Sequence, residues 1–279
     1  MKIAFIGGGN MAAALVAGLA GKVTPGANIH VVDPNPAALE ALHAQHGVTT
    51  ASAIDDAVSA AEVIVLAVKP QSMREAVAPM VPLLANAGPH GKHAPLVLSI
   101  AAGIRSADLS RWLGGYGAIV RCMPNTPALI GMGISGLVAS PCVTAAQRQA
   151  ADQVLKAVGA TVWLDDEEKI DAVTGVSGSG PAYVFYFIEA MQQAAVELGL
   201  TAEQGLELAK ATFTGAAQLA ARSDEPVALL RERVTSKGGT THAALASMEQ
   251  SGVKAAIITA IKAAAARGKE LGEQMGRDS

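Results

Sequence analysis

The small residues at positions 7–12 are spaced in a pattern that is typical of phosphate binding. Gly7, Gly9 and Ala12 fit the pattern Gly-x-Gly-x-x-Ala, between an apolar run and a helical pattern. In a strand–turn–helix context the first glycine permits a tight turn, and the second lets the backbone approach a pyrophosphate at the helix N-terminus. The small third residue lets the helix pack close to the strand. The segment therefore predicts a dinucleotide-binding turn, with an ordinary tight turn of another α/β fold as the alternative.

Asp33 ends the next predicted strand, 21 residues after Ala12, and allows two interpretations. A carboxylate at this position usually accepts a hydrogen bond from the adenosine 2′-hydroxyl, which favours NAD, and it would repel a 2′-phosphate. No Arg or Lys stands within the four residues that follow it. Asn35 could still donate to a 2′-phosphate if the Asp33 side chain turns away, so the preference between NAD and NADP stays open.

Three further segments follow predicted strands, at the edge where open α/β sheets bind their ligands. They are Ala67–Pro70, Ser99–Gly103 and Met123–Pro127. Small residues in the first two leave room for a flat nicotinamide or a ribose, and the two prolines of the third present Asn125 on a rigid loop. The alternatives are a solvated lysine at Lys69, plain helix–strand packing of the alanines, and an ordinary turn asparagine.

The segment Val234–Thr241 gathers hydroxyl groups and glycines before a helix that we expect to begin near Thr240. Backbone N–H groups and hydroxyls in such a loop can hold a small anion. A plain helix–helix connector with a threonine cap explains the pattern equally well. His242 is the nearest proton-donor candidate, although its setting is more typical of a surface helix residue. The sequence holds no Ser-His-Asp order, phosphate-binding lysine loop or HExxH motif.

The composition of the 279 residues excludes several classes of function. With a net charge of −3 and 3% aromatic residues, the chain is not expected to bind nucleic acid. Two cysteines exclude a disulfide framework, and the pairs His43/His46 and His90/His93 lack neighbouring cysteines or carboxylates, so we expect no metal. No signal peptide follows Met1, and no segment offers the about 20 apolar residues of a membrane span. We therefore expect a cytoplasmic protein without membrane contact.

The first half of the chain alternates apolar runs with helical patterns, which predicts a doubly wound α/β domain. The runs are nearly continuous, as in parallel strands covered on both faces. The predicted strands are Lys2–Ile6, Ile29–Asp33, Val63–Val68, Leu96–Ile100, Ala118–Cys122, Gly133–Ala139 and Thr161–Leu164. The predicted helices are Met11–Ala20, Ala37–His46, Gln71–Leu84 and a helix from about Ala145 to Val158.

Only helical patterns follow Gly180, so the second half is predicted to be a separate, all-helical domain. Ser179 and Pro181 form a predicted helix start, and Thr201 caps the next helix with Gln204 three residues on. We predict a Rossmann-type domain over residues 1–164 and a helical domain over residues 165–279, and we expect the latter to dimerise through its Ala- and Leu-rich helices. The predicted helices are Pro181–Leu198, Ala202–Ala221, Val227–Val234, His242–Glu249 and Val253–Gln274.

These motifs, taken in order along essentially the whole chain, resemble the pyrroline-5-carboxylate reductase family. The first block is shared with many Rossmann enzymes, whereas the last two blocks, in a helical domain, are specific. The segments that carry the resemblance are Phe5–Met11, Ala67–Pro70, Ser99–Gly103, Met123–Ala128, Gly175–Tyr183 and Val234–Thr241.

The resemblance implies the last reaction of proline biosynthesis, in which NAD(P)H passes a hydride to C5 of 1-pyrroline-5-carboxylate and gives L-proline. It also implies that Ser236 and loop N–H groups hold the substrate carboxylate while Thr241 bonds the ring nitrogen. The implied substrate site is Ser236, Gly238, Gly239, Thr240 and Thr241. The implied or candidate cofactor residues are Ile6, Gly7, Gly8, Gly9, Asn10, Met11, Asp33, Asn35, Ala67, Val68, Lys69, Pro70, Ile100, Ala101, Ala102 and Asn125. Family dimers interlock through the helical domain and often assemble into decamers of five dimers.

Two positions depart from the family pattern. The family often has Pro where this chain has Lys237, and many members that use NADPH carry Ser or Thr where this chain has Asp33. Family usage therefore favours NADP whereas Asp33 favours NAD. A β-hydroxyacid dehydrogenase is a second candidate, with Lys210 or Lys237 as its catalytic lysine. A non-catalytic dinucleotide sensor is a third, against which Ser236 and Thr241 argue.

Overall fold

The computed structural model describes residues 1–87 and 94–277, so His90 and His93 lie outside the described residues. The chain forms two compact units, one of residues 1–178 together with the segment from residue 264 onward, and one of Ser179–Ala263. These units divide at a different point from the expected boundary at 164/165. The segment that follows residue 164 stays with the first unit because Glu167 and Ser177 bond to its backbone and loops. The functional roles of the two predicted domains remain a prediction.

The first unit contains an eight-stranded sheet, which confirms the doubly wound α/β prediction. Its strand order is β3-β2-β1-β4-β5-β6-β7-β8, and all neighbours are parallel except β6 and β7. The short strand β3 was not predicted because its residues are polar or exposed rather than apolar. The strands are β1 Ile3–Ile6, β2 Ile29–Val32, β3 Thr49–Ala51, β4 Val63–Leu66, β5 Leu96–Ser99, β6 Ile119–Met123, β7 Gly133–Ala139 and β8 Gly159–Trp163.

Both faces of this sheet are buried, which explains the continuous apolar runs of its strands. Alternate residues of β1 point to opposite faces, so Ile3 and Phe5 join one core cluster while Ala4 and Ile6 join the other. Helices cover the two faces. The helices that begin in the first unit are α1 Asn10–Leu19, α2 Pro36–His46, α3 Asp56–Ser59, α4 Met73–Val77, α5 Val81–Ala87, α6 Ser106–Trp112, α7 Ala145–Lys156 and α8 Lys169–Val173.

The second unit is helical throughout, as predicted. Thr201 and Gln204 form the expected capping box, with Thr201 Oγ1 accepting from the Gln204 N–H at 3.1 Å. The predicted cap at Ser179 is wrong, since its side chain makes no capping bond and a π-helical turn over Thr174–Gly178 runs directly into the helix. The helices are α9 Gly180–Glu197, α10 Ala202–Ala221, α11 Val227–Arg233, α12 Thr240–Gln250 and α13 Val253–Arg277, whose last part belongs to the first unit.

Large apolar side chains remain exposed on the helices of the second unit. Phe185 and Tyr186 on α9 are 59% and 72% exposed, and Leu208 and Leu219 on α10 are 57% and 60% exposed. In α10 only two residues, Gly205 and Ala209, are buried. Exposure of several large apolar side chains on two helices is typical of an association surface. Among the described residues, none of the helices is long and apolar enough to cross a membrane.

Candidate active site

The glycine turn after β1 accepts no other residue at position 7. Gly7 has φ +104°, a left-handed conformation that side chains disfavour. A Cβ there would lie 2.7 Å from the Ala67 carbonyl oxygen, and the Gly7 N–H donates to the Val32 carbonyl at 2.8 Å. The turn is therefore held tightly between the ends of β2 and β4, as the fingerprint predicts.

Gly9 leaves an open approach to the N-terminus of α1. A Cβ on Gly9 would meet nothing within 4 Å, and the residue is exposed. No side chain caps α1 and no acidic residue lies in its first turn. Behind it Ala12 is 1% exposed within the core, so the helix packs closely on the sheet. The start of α1 thus presents unpaired N–H groups and a positive helix dipole to an anion.

Asp33 does not turn away from the glycine turn. Its Oδ2 accepts a hydrogen bond from the Gly8 N–H at 2.7 Å, and its Oδ1 accepts from the Asn35 N–H at 2.8 Å. Asn35 in turn caps α2, because its Oδ1 accepts from the Ala37 N–H at 3.1 Å. Asn35 was expected to donate to a 2′-phosphate only if the Asp33 side chain turned away. In this structure Asp33 does not turn away.

The segment after β4 lies against the glycine turn, and the segment after β5 is bonded to the end of β4. Ala67 N–H donates to the Ile6 carbonyl at 2.8 Å, and Ile100 N–H donates to the Leu66 carbonyl at 3.1 Å. The side chains of Ile6 and Ala101 are buried in the core, so only their backbone can face a ligand. Asn10, Ala102 and Lys69 are exposed, while Met11, Val68 and Pro70 are half-buried.

A cavity of about 410 Å³ adjoins this turn and includes residues that were not predicted. Its lining includes Val32, Pro34, Ile54 and Val68. Glu75 on α4 also lines it. Ile54 follows the unpredicted strand β3, and Glu75 lies in a helical pattern with no motif, so the sequence offered no signal for either. A mostly apolar cavity of this size suits a purine ring and its ribose.

Asn125 is tied to the backbone on both sides of its loop. Its Nδ2 donates to the Ser177 carbonyl at 3.2 Å, and its Oδ1 accepts from the Ile134 N–H at 2.9 Å. The residue is 9% exposed. The loop after β6 is thereby locked to the π-helical turn. These bonds assign Asn125 a positioning role, and a direct contact with a cofactor stays a prediction.

A buried ion-pair cluster holds the segment before the π-helical turn against β6. Arg121 is 3% exposed, and its guanidinium lies 3.1 Å from Glu167 and 3.9 Å from Asp171. Burial raises the pKa of the Asp171 carboxyl, although Arg121 and Arg105 oppose that shift. Glu167 also accepts the Ser106 N–H at 2.7 Å. No predicted site residue belongs to this cluster, which links the segment around Glu167 and Asp171 to β6 and to the start of α6.

The hydroxyl- and glycine-rich loop of the second unit ends at α12 without a threonine cap. Gly239 is the N-cap, no side chain caps this helix, and the Gly239 N–H donates to the Ser236 carbonyl at 3.0 Å. Gly238 has φ +75°, which completes the turn. The predicted threonine cap is therefore wrong, whereas the loop does connect α11 to α12 and its role in binding stays a prediction. Within the part of the chain that the structure describes, the Ser236 and Thr241 hydroxyls make no hydrogen bond, so both are available to a ligand.

The charged residues near this loop differ in their surroundings. Lys237 is exposed and, among the described residues, forms no ion pair. His242 is exposed and lines a small cavity of about 180 Å³ together with Arg231 and Glu249, as expected of a surface helix residue. A cation on the loop and free N–H groups at the start of α12 suit a carboxylate.

Comparisons with known families match both units of this chain. Residues 167–271 match the family model for pyrroline-5-carboxylate reductase dimerisation. Residues 2–103 match the model for NADP oxidoreductase, coenzyme F420-dependent. The chain is 46% identical over 276 residues to the pyrroline-5-carboxylate reductase of Pseudomonas aeruginosa, covering 99% of this chain and 98% of that protein. One relative therefore spans the glycine turn and the hydroxyl loop together.

Solved structures extend this similarity to the fold. A pyrroline-5-carboxylate reductase from Coxiella burnetii has a TM-score of 0.90 and 37% identity, covering 97% of this chain and 98% of its own. The Plasmodium falciparum pyrroline carboxylate reductase, solved with NADP bound, has a TM-score of 0.83 and 28% identity, covering 98% of each chain. With sequence and fold similar along nearly its whole length, the chain belongs to the pyrroline-5-carboxylate reductase family.

Proposed function

We propose that this chain reduces 1-pyrroline-5-carboxylate to L-proline by hydride transfer from NADH or NADPH, the last step of proline biosynthesis. The observation that carries the proposal is the near-full-length identity of 46% to a protein with this name. The open glycine turn and the loop with two unbonded hydroxyls are the parts such a reaction needs. As a member of this family the chain is an NAD(P)-dependent oxidoreductase.

The glycine turn fits a dinucleotide. The open space at Gly9 and the unpaired N–H groups at the start of α1 would receive the pyrophosphate. The backbone of Ala67–Pro70 and Ile100–Ala102 would line the path toward the nicotinamide, with Asn125 holding the neighbouring loop in place. When bound, the reduced nicotinamide supplies the hydride.

The loop before α12 would hold the substrate by its carboxylate. Ser236 and the N–H groups of Gly238 and Thr240 can donate to that carboxylate, with Lys237 adding a positive charge, whereas the Gly239 N–H is already bonded to the Ser236 carbonyl. Thr241, the second residue of α12, would bond the ring nitrogen. The imine nitrogen is readily protonated, so the substrate arrives as an electrophilic iminium. The chain then needs no strong acid, and its task is the orientation of donor and acceptor.

The assay that tests the proposal measures oxidation of NADH and NADPH with and without 1-pyrroline-5-carboxylate. We expect oxidation only when the imine is present, with proline as the product. A series of 2-hydroxy and 3-hydroxy acids with the oxidised cofactors is the control. Turnover of a hydroxy acid without imine reduction would favour a β-hydroxyacid dehydrogenase, and cofactor binding without any turnover would favour a dinucleotide sensor.

We further propose that the chain forms a homodimer through its second unit, and that five dimers assemble into a decamer. The match to a dimerisation model over residues 167–271 and the exposed apolar residues of α9 and α10 support the dimer. Sedimentation velocity at micromolar concentration should show no monomer, and a decamer peak at higher concentration. A monomer throughout would contradict the dimer, and a dimer at every concentration would contradict the decamer. A cytoplasmic location stays a prediction.

A further inference from the structure

Among the described residues, one carboxylate and no Lys or Arg line the cavity beside Asp33. Glu75 lines it, and Lys69 and Arg74, which adjoin lining residues in sequence, do not. Across the described ranges 1–87 and 94–277, no Lys or Arg lines this cavity. An NADP-binding site normally provides a cation for the 2′-phosphate, whereas an NAD site provides a carboxylate for the 2′-hydroxyl.

Two hydrogen bonds fix Asp33, which lies in the chain between two residues that line the same cavity. Its neighbours Val32 and Pro34 both line the cavity, and its two oxygens accept the Gly8 and Asn35 N–H groups at 2.7 Å and 2.8 Å. Each carboxylate oxygen keeps a further lone pair, which can accept from a ribose hydroxyl. A 2′-phosphate offers only acceptors and negative charge. To make room for it, Asp33 would have to give up two charge-assisted hydrogen bonds that hold the glycine turn.

We propose that this chain selects NADH over NADPH and that Asp33 is the residue that determines this specificity. The inference rests on the proposed function for the reaction, but it concerns cofactor binding alone and can be tested without substrate. It separates this chain from the solved Plasmodium falciparum relative, which holds NADP. Asp33 is fixed at the end of β2, and the adjoining cavity is lined by Glu75 and by no Lys or Arg of the described residues, so the chain should favour NADH by about tenfold or more.

The test is a titration of NADH and of NADPH into the full-length protein, followed by cofactor fluorescence, in the absence of imine. The wild type should bind NADH more tightly than NADPH, by about tenfold or more. Asp33→Asn keeps the size of the side chain and one acceptor oxygen but removes the charge. This variant should bind NADH more weakly than the wild type does, and its preference for NADH over NADPH, expressed as the ratio of the two Kd values, should fall by about tenfold.

Two further variants keep the result interpretable. Glu40→Gln removes an equal charge from an exposed position on α2, outside the cavity, and should leave the ratio unchanged. Asp33→Ser introduces a residue type that is common in the family and also removes the charge. It should shift the ratio of the NADH and NADPH Kd values in the same direction as Asp33→Asn. Each variant is checked by its melting temperature.

The inference is overturned if the wild type binds NADPH as tightly as NADH, and also if both Asp33 variants retain the wild-type ratio. An equal shift in Glu40→Gln would likewise overturn the role of Asp33, because it would trace the preference to net charge. Absence of imine turnover would contradict the proposed function while leaving these binding ratios readable. The two ideas therefore fail separately.

Discussion

Replacing Gly9 with alanine is expected to leave the protein as stable as the wild type while weakening nicotinamide cofactor binding about ten- to hundredfold. Gly9 has φ −71° and ψ −177°, a conformation open to any residue, and a Cβ would meet nothing within 4 Å. The added methyl group therefore costs the free protein little. It occupies the space through which a pyrophosphate must approach α1, and overpacking of that kind costs about 1–3 kcal/mol.

Gly7→Ala provides the contrast. Its Cβ would lie 2.7 Å from the Ala67 carbonyl oxygen at a left-handed φ, so this variant should lose thermal stability as well as binding. Melting temperature and cofactor Kd, measured on both variants, separate a steric effect on the ligand from damage to the fold. Normal cofactor binding by a well-folded Gly9→Ala protein would show that the pyrophosphate does not lie at this turn.

Thr241→Ala is expected to lower kcat/KM for the imine about ten- to hundredfold, because a lost hydrogen bond to a charged group is worth about 1.5–3 kcal/mol. Cofactor Kd should remain near the wild-type value. The melting temperature should also hold, since Gly239 rather than a threonine is the N-cap of α12 and the Thr241 hydroxyl has no partner among the described residues. Thr241→Ser should restore much of the activity, whereas Thr241→Val, which matches the shape, should not.

Ser236→Ala is the matched comparison on the same loop. Its expected partner is the substrate carboxylate, whose charge does not change during hydride transfer, so the variant should mainly raise KM. Steady-state kinetics of both variants decide the assignment. Wild-type kinetics in Thr241→Ala, accompanied by a lower melting temperature, would contradict a catalytic role and indicate a structural one.

The sequence predicts the sheet well where strands are buried on both faces. β1 and β4 are continuous apolar runs because their residues enter both core clusters, and this pattern is visible without a structure. β3 was missed because its side chains are exposed or half-buried, and the cavity residue Ile54 was missed with it. The glycine turn could be predicted because the conformation and the close surroundings of Gly7 require a residue without a side chain.

The directions of individual side chains could not be predicted from the sequence. Asp33 could face the cofactor or turn away, and only the Gly8 and Asn35 N–H groups decide between these directions. Asn125 was predicted to be presented on a rigid loop, and the sequence did not show that its side chain bonds to the Ser177 carbonyl and the Ile134 N–H. The Ser179 cap failed for a similar reason, because the preceding residues already form a π-helical turn. Such choices depend on contacts between distant segments.

The most direct test of the account follows the hydride itself. The purified protein is supplied with 1-pyrroline-5-carboxylate and NADH or NADPH deuterated at C4 of the nicotinamide, and the product is analysed by mass spectrometry and NMR. The account predicts L-proline with a single deuterium at C5, formed in step with cofactor oxidation by whichever deuterated diastereomer of the cofactor donates. Proline without deuterium from either diastereomer, or no proline while a hydroxy acid is turned over, would contradict it.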